Sequence, residues 1–115
     1  MGIVIRTHGN EAVPTGEYQV VLLSLEVVET PDGDELEWTF MVLHNGRKIV
    51  QRTTISGEFT SKCMEWSMSL MQTVFAPNEE VNLTELVGKT AIAHVKLCKR
   101  NGREYNRIEK LLPDW

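Results

Sequence analysis

Three short turn signals constrain this chain's topology more than any other feature: Pro31-Asp32-Gly33, Asn45-Gly46 and Asn101-Gly102. Proline presets φ at the start of a turn and glycine accepts positive φ. Asn-Gly suits the tight connection whose twist matches that of two paired strands. Apolar residues alternate with polar ones on either side of these turns, the period expected of half-buried strands. Tyr18–Glu29 reads as the first strand. Its run Val20-Val21-Leu22-Leu23 breaks the alternation, which fits either burial on both faces or a bulge near Ser24. A second strand over Glu35–His44 puts Trp38, Phe40 and Val42 on one face, where they read as core. A third, Lys48–Ile55, opposes Ile49, Gln51, Thr53 and Ile55 to Lys48, Val50, Arg52 and Thr54. These three form an antiparallel meander. Thr90–Lys99 and Arg103–Leu112, joined by Asn101-Gly102, form a later hairpin closed by Pro113.

Between the two groups the period changes. Over Glu58–Phe75 the residues Phe59, Cys63, Trp66, Leu70 and Val74 recur at helical spacing, with Met64, Met68 and Met71 widening the stripe. This predicts a helix packed on a sheet, stopped before Pro77; a Met-bearing groove for a partner is the other use of such a stripe. Leu83-Thr84-Glu85-Leu86 reads as a short helical turn and Gly88 as a breaker. The order strand, strand, strand, helix, strand, strand is that of the OB-fold, an all-β, five-stranded, partly open Greek-key barrel with one helix between strands 3 and 4. It also fits an α+β sheet. Residues 1–17, interrupted by Gly9, Pro14 and Gly16, read as an N-terminal arm whose Ile3–Ile5 can add as an edge strand. Residues 18–115 then form the domain.

At 115 residues and 42% apolar the chain has the size and composition of one globular domain. No apolar run approaches a membrane span and the N-terminus lacks a signal-peptide pattern, so the expectation is a cytoplasmic protein with no membrane association. Cys63 and Cys98 fall within apolar patterns and read as reduced, buried thiols. His8, His44 and His94 lie in separate segments. No zinc spacing, phosphate loop or nucleophile motif is present, so neither a cofactor nor catalysis is expected. Asp32 and Asp34, followed by Glu35 and Glu37, read as a solvated acidic tip with at most weak cation affinity.

Charge is unevenly placed. Net charge is −4, yet residues 1–46 hold one base against eight acids and residues 47–115 eleven bases against eight acids. The bases concentrate in the last hairpin, where exposed Lys and Arg also serve simply to discourage edge pairing.

Residues 14–112 resemble a family of small phage and prophage proteins related to single-stranded DNA-binding proteins. The matching features are Gly16-Glu17-Tyr18, Leu36-Glu37-Trp38-Thr39-Phe40, the helix, Leu86-Val87-Gly88-Lys89, and Asn101-Gly102-Arg103-Glu104-Tyr105-Asn106-Arg107-Ile108. The resemblance implies an OB-like barrel acting in phage DNA replication or recombination inside a bacterial host. Single-stranded DNA, replication or recombination proteins and further copies of the chain would be its partners. The chain departs from the family in reaching Leu111-Leu112-Pro113-Asp114-Trp115 without a long acidic tail, which puts recruitment through such a tail in doubt.

Binding single strands without sequence preference takes a cationic groove for phosphates and aromatic faces for bases. The last hairpin offers Lys96, Lys99, Arg100, Arg103 and Arg107, with Tyr105 between two arginines. An OB-type face also draws on the second and third strands, which adds Arg47, Lys48 and Arg52. Tyr105 serves either as a stacking face or as a barrel-edge packing residue. An alternative function is an OB module that binds protein and not nucleic acid, with the acidic first half favouring a basic partner.

Overall fold

The computed structural model describes residues 12–114. The elements are β1 (Gly16–Thr30), β2 (Gly33–Val42), β3 (Lys48–Thr54), α1 (Lys62–Met71), a one-turn 3-10 helix (Leu83–Leu86), β4 (Thr90–Arg100) and β5 (Arg103–Pro113). The strands make one antiparallel sheet in the order β3-β2-β1-β4-β5, with α1 between the third and fourth strands. This is an all-β, OB-like arrangement in which β3 and β5 are the outermost strands among the described residues, and these do not close the sheet through a backbone ladder. The proposed Ile3–Ile5 strand lies outside the described residues. The end of the arm does not stand apart: Val13 is buried in the core, and β1 begins at Gly16.

The alternation in β2 sends Leu36, Trp38, Phe40 and Val42 inward. The extra apolar residue in β1 is resolved by a bulge. The register with β2 shifts between Leu22 and Ser24, which turns Leu23 outward while Val20 and Leu22 stay buried. Leu22 exchanges both backbone bonds with the chain before β4, receiving Gly88 N–H at 2.8 Å and donating to Lys89 C=O at 3.0 Å. Gly88 makes that approach at φ +90°, a conformation that strains any side chain.

The helix is shorter than its hydrophobic period suggests. Ser61 caps it, its Oγ accepting from Met64 N–H at 3.2 Å, and Gln72 ends it in the left-handed region at φ 57°. Phe59 and Val74 therefore lie beyond its ends and are exposed, whereas Cys63, Trp66 and Leu70 are buried. Trp66 meets Trp38 edge-on at 5.3 Å and Phe40 at 5.8 Å, forming an aromatic centre to the core. Trp38 Nε1–H donates to Thr53 Oγ1 at 2.8 Å, whereas Trp66 Nε1 has no partner among the described residues. Ser69 Oγ donates to Leu111 C=O at 2.7 Å, which ties α1 to β5. Cys63 and Cys98 are free; Cys63 is buried, but Cys98 is only half-buried, because the end of the last hairpin runs past the core.

Candidate nucleic-acid interface

The β4–β5 register decides which cations share a surface. Lys96 stands opposite Arg107, Cys98 opposite Tyr105 and Arg100 opposite Arg103. Side chains directly opposite in an antiparallel pair lie on one face, so Lys96, Arg100, Arg103, Tyr105 and Arg107 share it. Lys99 faces the other way, opposite Glu104. A second register shift, at His94/Val95, leaves Glu109 without a cross-strand partner. Past that bulge the alternation resets: Leu111 turns inward to the core and Lys110 outward, the reverse of what strict alternation from Ile108 gives.

On the other edge, Lys48 is opposite Met41 and Arg52 opposite Glu37, on the face away from the core. Arg52 Nε bonds Glu37 Oε2 at 3.2 Å, so this guanidinium is engaged within the sheet. Arg47 sits at the entry to β3, its backbone N–H donating to Asn45 Oδ1 at 3.0 Å. Its C=O accepts from Val42 N–H at 2.8 Å. Lys48 is brought to the last hairpin. It lines a cleft of about 350 Å³ between the β3 and β5 edges together with Val50, Glu104, Tyr105 and Asn106. Tyr105 is 46% exposed and Val50 53%. Glu104 adds one carboxylate to this otherwise cationic, apolar opening. Trp38 and Phe40 are fully buried and unavailable for stacking.

Two amides that sequence reading passed over hold this cleft. Gln51 Oε1 accepts from Ile108 N–H at 2.7 Å and its Nε2 reaches Ile108 C=O at 3.4 Å, so one side chain bridges the two edges. Asn106 repeats the device: its Oδ1 accepts from Val13 N–H and its Nδ2 donates to Val13 C=O, both at 2.8 Å. The signal was present in each case as an amide at an inward position of an alternating strand. Such a residue needs partners wherever it is buried.

Among the described residues no cluster of His, Cys, Asp and Glu could hold a metal ion. His94 Nε2 comes within 2.9 Å of Glu17 Oε1, without the alignment of a hydrogen bond. No helix among these residues is long and apolar enough to cross a membrane. Compared with protein-family models and with curated proteins, the chain matches none.

Proposed function

We propose that this chain is a non-catalytic single-stranded DNA-binding or accessory protein of phage or prophage replication or recombination. The observation that carries the reading is the shared face of Lys96, Arg100, Arg103 and Arg107 with half-exposed Tyr105 in their midst. Four cations along one hairpin suit a phosphate backbone, and an aromatic ring among them gives a base a surface to stack on. The cleft beside Tyr105, with Lys48 on its far wall, lets the strand continue from β5 toward β3. The OB-like strand order and the family-like block around Asn101–Ile108 agree with this reading.

A second reading, a protein-interaction module, is favoured by one feature. A cleft of about 490 Å³, lined by Ile55, Phe59, Met64, Phe75, Val81 and Leu83, opens beside α1. Fluorescence anisotropy with a labelled single-stranded oligonucleotide separates the two. Saturable binding at low salt that is lost on reversing Arg103 and Arg107 to Glu supports the first reading. No binding at low salt leaves only the second.

A further inference from the structure

The β1–β2 hairpin is the electrostatic counterpart of the β4–β5 hairpin. Residues 26–37 carry six acids and no base; residues 96–107 carry five bases and one acid. β1 pairs with β4 through Gly16–Val21 and with β2 through Val20–Thr30, antiparallel in both cases. The two hairpins therefore run past β1 in opposite directions: the acidic tip lies beyond Thr30 and the basic tip beyond Gly16. The chain is charged negative at one end of β1 and positive at the other.

Among the described residues strand partners neutralise each end only in part: Glu37 is bonded by Arg52, and Lys99 lies opposite Glu104. Glu26 stands opposite Glu37 and Glu29 opposite Asp34, while Arg100 stands opposite Arg103 and Lys96 opposite Arg107. Like charges directly opposite across a ladder repel and destabilise the pair, so each hairpin is relieved by an external countercharge. Each also exposes an apolar side chain among its charges, Val27 at 61% in the first and Tyr105 at 46% in the second. The two surfaces are opposite in charge sign and alike in having an apolar centre.

We infer that copies of this chain associate head to tail, the acidic β1–β2 hairpin of one docking on the basic β4–β5 hairpin of the next. The two patches are different surfaces at opposite ends, so the contact is heterologous and each added copy presents a fresh end. It produces an open series of oligomers or a ring rather than a closed twofold dimer. No nucleic acid takes part, so the inference stands or falls independently of the proposed DNA binding.

Sedimentation velocity over a concentration series tests it. At about 0.01 M salt, where charges are felt over about 30 Å, wild type should show species that grow with concentration; at about 1 M, with screening near 3 Å, it should be monomeric. Glu29→Gln/Asp34→Asn and Arg100→Gln/Arg103→Gln neutralise exposed tip residues, and each double variant alone should lose the larger species. An equimolar mixture of the two retains one intact end of each sign. It should form a dimer and nothing larger. Wild type that stays monomeric at low salt overturns the inference, as does association that survives in either variant or at high salt.

Discussion

Gln51 points inward on β3, and its carboxamide does for Ile108 what a neighbouring strand would do, taking up both its N–H and its C=O. Gln51→Leu keeps the volume and leaves two half-buried backbone groups without partners. A loss of about 1–3 kcal/mol in urea unfolding is expected, with faster amide exchange at Ile108. Unchanged stability would mean that the β3–β5 edges are held by something else. Tyr105 makes the opposite prediction. Its ring is half exposed, so Tyr105→Ala should leave thermal stability near wild type. Affinity for a single-stranded oligonucleotide should fall by about 1–3 kcal/mol, the worth of one stacked base. Equal affinity in the variant would make Tyr105 a packing residue only.

At the scale of elements, α1 is only Lys62–Met71, and its start rests on one hydroxyl, Ser61 Oγ on Met64 N–H. Ser61→Ala should cost about 1 kcal/mol, read as a lower unfolding midpoint. The five strands, their turns and the helix between strands 3 and 4 were legible in the sequence, because alternation and Asn-Gly or Pro-Asp-Gly turns are local signals. The helix ends were not. Phe59 and Val74 keep the 3.6-residue period, but a cap at Ser61 and the left-handed Gln72 end the helix inside them. The β5 face was half legible. Period-two counting places Asn106 and Ile108 correctly and fails at Lys110, because the bulge at Glu109 depends on a partner strand and has no local signature. Partnering was likewise hidden. Arg52 reads as a free cation in sequence, and its bond to Glu37 follows only from the β2–β3 register.

For the whole molecule the organising fact is the separation of charge along β1, an acidic hairpin beyond one end and a basic one beyond the other. That separation gives a chain of net charge −4 one cationic end, the surface for a polyanion under the proposed function, and makes the two ends complementary in charge. It predicts binding dominated by release of counterions from the phosphates that four side chains neutralise, Lys96, Arg100, Arg103 and Arg107. The most direct test is the salt dependence of affinity for a single-stranded oligonucleotide. Four phosphate contacts give a slope of log K against log salt of about −3. Arg103→Gln/Arg107→Gln should reduce its magnitude by about 1.4, the share of two contacts, while Arg52→Gln, already bonded to Glu37, should leave it unchanged. A slope near zero, or one that the Arg103/Arg107 change does not alter, would contradict the assignment of the β4–β5 hairpin as the binding face.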